Sequence, residues 1–353
     1  MSEDNSGNSD ASALAGKVGL VVGIANDKSI AAGCARAFAD AGAALAITYL
    51  NERARPHVAP VSEALGAELL LPLDLSDDTQ LEAVFEAIRQ KWGRLDFLLH
   101  SVAFCPREDL HGRVVDCSRD GFSQAMDISC HSFSRRTRAA EPLMRNGGSV
   151  MTVSYYGAEK VVDHYNIMGP VKAALEAATR YMAAELGAAN IRVNALLPGP
   201  IATRAASGIA HFDALIDDAR ARSANGRLVT IEEVGAAARF LASDGAAGMT
   251  GNVMYVDAGR RVRQFRTDPR QQWQAVVVQV MSETVMNHRE NARVAQQHLI
   301  NAARGRVSVI GRQHISVEDA ANLRQCAGEV LNQPFGVYIG AAGVLATLPS
   351  DVP

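Results

Sequence analysis

From Lys17 onward, short apolar runs alternate with longer stretches in which apolar positions recur every three or four residues. The runs predict strands over 18–22, 44–49, 69–73, 97–101, 149–154, 192–197 and 253–256. Most are almost continuously hydrophobic, the pattern of strands buried on both faces. The periodic stretches predict helices over 30–40, 78–92, 122–143, 171–186 and 231–241. Strands alternating with helices imply an α/β fold: a doubly wound, seven-stranded parallel sheet of Rossmann-like type, with ligands at the carboxyl ends of the strands.

Two stretches break the rhythm. The connection over 198–227 is long and carries its own helical patch over 212–222, as lids and substrate loops do beside strand ends. After Gly259 the alternation should end, yet the chain runs on to Pro353. That remainder reads as a helical segment over 269–303, a strand over 306–310, a helix over 317–331 and a strand over 335–339, a small α+β appendage. The expected organisation is a disordered tail over 1–14, a nucleotide-binding domain over 15–261 and an extension of unassigned role over 262–353. The tail is polar and lacks the basic and apolar regions of a secretory signal.

Composition narrows the function. A hydrophobic content of 48% supports a real core, and a net charge of −3 gives no field for nucleic acid. No uninterrupted apolar window is long enough for a membrane span. Five cysteines occur without a CxxC pair or metal-ligand spacing, so neither a disulfide framework nor a metal site is expected, and a reducing, cytoplasmic setting is.

The densest chemistry is Tyr165-Asn-Ile-Met-Gly-Pro-Val-Lys172, with Tyr155 ten residues upstream. Seven residues advance a helix by about 700°, so Tyr165 and Lys172 would share a face of a helix beginning near Asn166, with Pro170 in its first turn. A nearby ammonium stabilises phenolate, which predicts a lowered tyrosine pKa suited to general acid work. Only five lysines occur, and two of them, Lys160 and Lys172, fall in this region. At the other end, Gly23 follows the first strand and Ser29 can cap the helix behind it, an arrangement for a pyrophosphate, although GxGxxG itself is absent. Asp74 ends the third strand, where it could accept from an adenine amino group, and Ser101 to Phe104 end the fourth. After strand two, Glu52 and Arg53 point in opposite directions on the ribose, giving NADH as the expected cofactor and NADPH as the alternative.

Over residues 15–260 these motifs resemble the divergent short-chain dehydrogenases that serve as bacterial enoyl-acyl-carrier-protein reductases. The carriers are Gly23 with Ser29-Ile30-Ala31, His100-Ser101 with Phe104, Ser154-Tyr155, the Tyr165 to Lys172 stretch, and Gly199-Pro200-Ile201 with Thr203 and Ala205 to Gly208. The resemblance implies hydride transfer to C3 of a trans-2-enoyl thioester, carried on acyl-carrier protein or coenzyme A, in fatty acid synthesis. It implies that Tyr165 hydrogen-bonds the resulting enolate and that Lys172 holds the nicotinamide ribose and tunes Tyr165. Tyr155, Phe104 and Met168 would line the substrate site, and Ile209, Phe212 and Leu215 would cover the acyl chain. Ser29, Ile30, Asp74, Leu75, Ser101, Ile201 and Thr203 would contact the cofactor, and a homotetramer is implied. Ala103 stands where the family carries glycine beside the nicotinamide, and its methyl predicts weaker inhibition by diphenyl ethers. Leu50 replaces a polar residue near the adenosine, and the extension has no counterpart.

Two alternatives remain at this stage. Tyr156 and Lys160 match the Tyr-x3-Lys signature of short-chain carbonyl reductases, but lie only just beyond the fifth strand, about ten residues too early. A non-catalytic binding protein that uses the extension is the second, and the intact Tyr165 and Lys172 pair argues against it.

Overall fold

A computed structural model describes residues 12–201 and 212–262, together with the backbone of 336–340 and 343–347. The chain divides into two compact units, Met1–Gln264 and Phe265–Pro353. In the first, seven strands form one sheet: β1 (Val18–Val22), β2 (Ala44–Tyr49), β3 (Leu69–Pro72), β4 (Phe97–His100), β5 (Gly148–Val153), β6 (Ile191–Pro198) and β7 (Val253–Val256). Their order is β3-β2-β1-β4-β5-β6-β7, and every pairing is parallel. The strand order reverses between β1 and β4, which opens a crevice at their carboxyl ends.

Alternate side chains of each strand serve opposite faces. Leu20, Leu98 and Val150 join one core under α3 (Asp78–Trp92), α6 (Ser132–Ala140) and α7 (Met168–Leu186). Val21, Leu99 and Met151 join the other, under α1 (Ile30–Asp40) and α9 (Ile231–Ala242). Thr230 and Glu233 close a capping box on α9, and Asp77 caps α3. The expected 212–222 patch is helix α8 (Phe212–Arg222).

Four expectations change. Leu14 was placed in a disordered tail, but it is fully buried, and its N–H donates to the Ala41 carbonyl at 3.0 Å: an apolar side chain beside the end of α1 is worth more inside than in water. Residues 1–11 lie outside those described. Helix α2 (Arg55–Ala64) is not among the predicted elements, and it carries two prolines, Pro56 and Pro60. Pro56 occupies the first turn, where its missing N–H costs nothing, Pro60 faces solvent, and Val58 and Val61 bury the opposite side. The single helix expected over 122–143 is instead α5 (Arg119–Met126), a π-helical turn (Asp127–His131), α6 and a short 3-10 turn (Glu141–Leu143). A short helix, α4 (Arg107–His111), precedes them. The fourth change is the start of α7, taken up with the site.

In the second unit, β8 (Gly336–Gly340) pairs antiparallel with β9 (Gly343–Thr347). The first of these strands matches the one expected over 335–339. The other elements expected in the extension lie outside the described residues.

The α1 and α9 helices cross backbone to backbone. A Cβ on Gly235 would lie 2.5 Å from the Gly33 carbonyl oxygen, and one on Gly33 would lie 2.6 Å from that of Ile231. Gly235→Ala is therefore expected to destabilise the domain by about 1–3 kcal/mol. Urea unfolding measures this, and an unchanged midpoint would show that the two helices separate without cost.

Candidate active site

The turn after β1 begins at Gly23, whose φ is +109° and whose missing Cβ would fall 2.0 Å from the Ser101 carbonyl oxygen. Only glycine allows the loop after β1 to lie against the loop after β4. The turn ends at Ser29, whose hydroxyl donates to the Asn26 carbonyl at 2.7 Å and accepts from Ala32 N–H at 3.3 Å, opening α1. The first N–H groups of α1 thus follow a turn opened by a single glycine, and that combination fits a pyrophosphate. Asp74 accepts from the N–H and hydroxyl of Ser76 at 2.9 and 2.6 Å and so braces its own turn. Leu75 sends its side chain into the core, leaving only backbone toward the strand ends; its carbonyl accepts from Arg135 at 2.8 Å.

Beside this turn lies a cleft of about 310 Å³. Its walls are Ile30 of α1, Ser101 to Cys105 after β4, and Ser154 and Tyr155 after β5, with Tyr165, Met168 and Lys172 at the start of α7 and Pro198 to Ile201 after β6. Ser101, Ala103, Phe104, Tyr155, Tyr165, Met168, Lys172, Ile30 and Ile201 are thus brought together as anticipated. Gly23, Ser29, Asp74 and Leu75 do not line it. Thr203 and Ile209 lie outside the described residues, as do the side chains of Phe212 and Leu215, whose backbone opens α8. Tyr156 and Lys160 also stay off the cleft: Tyr156 lies under the Arg260 guanidinium, 5.1 Å from the ring centre, and Lys160 is exposed.

Tyr165 precedes α7 instead of riding on it. His164 and Asn166 both have left-handed backbone, with φ of 62° and 45°, so the helix begins only at Met168. The Asn166 amide pins this lead-in by donating to the Leu110 carbonyl at 2.7 Å. Tyr165 is buried, and its ring meets that of Tyr155 at 4.8 Å between centres, tilted by 57°. Room for the ring exists because residue 157 is glycine, where a Cβ would lie 2.3 Å from Tyr165 Cδ1.

Lys172 is also buried, and its ammonium donates to the carbonyls of Val153 at 2.8 Å and Val102 at 3.4 Å. Burial brings its pKa down to about 8, against smaller upward pulls from Cys130 and Glu176. The expectation for Tyr165 is reversed. Burial raises its pKa, and the charges of Tyr155 and Glu176 raise it further, so at neutral pH it is a neutral phenol that donates. Lys172 is turned toward backbone carbonyls and does not offset that burial.

Further groups stabilise the cleft from behind. His100 lies between the hydroxyls of Ser132 at 2.8 Å and Thr152 at 3.1 Å, and burial holds it neutral. In the π turn, the fully buried Ser129 accepts from the N–H of Phe104 at 2.8 Å and donates to its carbonyl at 2.9 Å. Cys105 lines the cleft, but its thiol is pushed up to about 11, chiefly by burial, and is no thiolate nucleophile. Cys105, Leu110, Gly157 and Ser129 were not singled out from sequence. A glycine two residues past Tyr155 was the one visible hint.

A sequence model described as Enoyl-(Acyl carrier protein) reductase matches residues 23–261. The chain is 46% identical over 244 residues to enoyl-acyl-carrier-protein reductase (NADH) 1 of Rhizobium meliloti, covering 69% of this chain and 90% of that one. A Nostoc enoyl-acyl-carrier-protein reductase (NADH) is 48% identical over 252 residues, covering 70% and 98%. Among solved structures, the Anaplasma phagocytophilum reductase in complex with NAD superposes with a TM-score of 0.70 at 46% identity, covering 72% of this chain and 97% of the other. The Bacillus cereus reductase with NADP+ and an indole naphthyridinone gives 0.70 at 42%, covering 71% and 99%.

Gly157→Ala is expected to drive the Tyr165 ring from its seat and cost about 1–3 kcal/mol. Near-ultraviolet circular dichroism, which senses the paired tyrosines, should change together with the unfolding midpoint; a variant identical in both would refute the seating.

Proposed function

The chain belongs to the enoyl-(acyl carrier protein) reductase family and is an NADH-dependent reductase of fatty acid synthesis, and we propose that Tyr165 and Lys172 carry its chemistry. The observation that supports this most is the meeting of a buried, neutral phenol and a buried ammonium on one wall of the cleft.

NADH, when bound, supplies the hydride. The turn from Gly23 to Ser29 and the start of α1 would hold its pyrophosphate, Asp74 and the Leu75 backbone would face its adenosine, and Ser101, Ala103, Ile201 and Thr203 would flank its nicotinamide. Lys172 would hold the nicotinamide ribose. As C3 of the enoyl thioester is reduced, electrons move onto the thioester oxygen. The Tyr165 hydroxyl, kept protonated by its surroundings, donates to that oxygen and stabilises the developing enolate, a contribution of roughly 3–4 kcal/mol for one well-placed donor. C2 then takes its proton from the phenol or from solvent. Tyr155, Phe104 and Met168 exclude water from the acyl chain, with Ile209, Phe212 and Leu215 assigned to its cover. The proposal extends to coenzyme A thioesters as substrates, to a homotetramer and to a cytoplasmic location. Among the described residues, no helix is long and apolar enough to cross a membrane.

Oxidation of NADH with a medium-chain trans-2-enoyl thioester tests the assignment. Tyr165→Phe is expected to lower kcat by about 100- to 1000-fold. Retention of full turnover would remove Tyr165 from the mechanism. The competent lysine is protonated, so kcat/KM should fall as pH rises through about 8, where Lys172 loses its proton. A profile flat to well above that value would contradict this role.

A further inference from the structure

Lys172 poses an electrostatic problem that its immediate partners do not solve. The residue is 3% exposed, and its ammonium is met by two carbonyls. Among the described residues, no carboxylate comes within ion-pair distance of it. Partial charges on carbonyls compensate only part of the lost hydration.

One turn further along α7 stands Glu176, half-buried. Its Oε1 accepts from the Ser154 hydroxyl at 2.5 Å, and Ser154 is part of the cleft wall beside Tyr155. A carboxylate bonded to a residue of the cleft wall thus stands on the same helix face as the ammonium. We propose that Glu176 is a positioning residue of the active site: its carboxylate, tethered by Ser154, keeps the Lys172 ammonium charged where burial would otherwise discharge it. This inference rests on Lys172 serving the chemistry as set out under Proposed function.

The surrounding charges agree with it. Glu176 pulls the Lys172 pKa up, as does Cys130 from the π turn, and both act against burial. His100 in β4 is kept neutral chiefly by burial, with the Arg136 and Lys172 charges acting in the same direction. Burial raises the Glu176 carboxyl and Glu159 adds to this, whereas Ser154, Arg180 and Lys172 draw it down. Tyr255 of β7 and Tyr165 both register the Glu176 charge as an upward pull. Glu176 is therefore the carboxylate whose charge acts on both working groups, and Ser154 holds it in place.

Because the chain holds five lysines, labelling lysine with carbon-13 gives few enough resonances to titrate individually, and Lys172→Arg identifies the one of interest. In Glu176→Gln the Lys172 midpoint should move to lower pH by about one unit. Glu176→Asp, which retains the charge, should move it less. The alkaline limb of kcat/KM should follow the midpoint. A folded Glu176→Gln protein whose Lys172 midpoint is unmoved overturns the proposal. A midpoint that moves while the rate profile stays put upholds the electrostatic role of Glu176 and refutes the assignment of Lys172 to the chemistry. If Glu176→Gln folds poorly, Ser154→Ala replaces it: an untethered carboxylate should lower the midpoint in the same direction by less, and no movement again overturns the proposal.

Discussion

The burial of one ammonium organises this molecule's working end. Lys172 donates to the carbonyl that ends β5 and, less closely, to one just beyond β4, so a single side chain ties two strand ends to the start of α7. Val153 is the last β5 residue paired with β6, and Val102 lies two residues beyond β4, so both carbonyls stand at the edge of the sheet's own hydrogen bonding. The lysine satisfies them and in exchange gives up water. The neutral phenol and the tethered carboxylate are responses to that same burial. What favours an uncharged Tyr165 also makes a charged Lys172 difficult to hold, and the site contains both.

Much of the architecture was legible because a buried parallel sheet writes itself as continuous apolar runs. Strands β1, β2 and β7 and helices α1 and α3 fall where periodicity put them. The failures have local causes. Helix α2 carries two prolines, and sequence alone does not tell which face such a ring will occupy; here Pro60 faces water. The start of α7 was misjudged because His164 and Asn166 take left-handed conformations that nothing in the apolar pattern marks.

Site residues divide the same way. Tyr165 and Lys172 were visible as a spaced pair, and the cleft gathers them even though the shared helical face used to argue for them does not exist. The direction of the phenol's pKa was misread because proximity to a cation was weighed without burial. Glu176 and Ser129 were invisible, since their roles depend on partners far away in sequence, Ser154 and Phe104. Such residues become apparent only when hydrogen bonds are traced between elements.

The π turn between α5 and α6 accommodates one residue more than an α-helix would, and each residue rotates the helix by about 100°. Within the turn, Ser129 grips the backbone beside the cleft; downstream, Arg135 reaches the Leu75 carbonyl after β3 and Asp78 at the start of α3. The extra residue lets a single length of helix hold both the loop after β4 and the turn after β3. Regularising it by a one-residue deletion would leave either grip intact and swing the other out to solvent. This segment should therefore tolerate changes of side chain far better than changes of length.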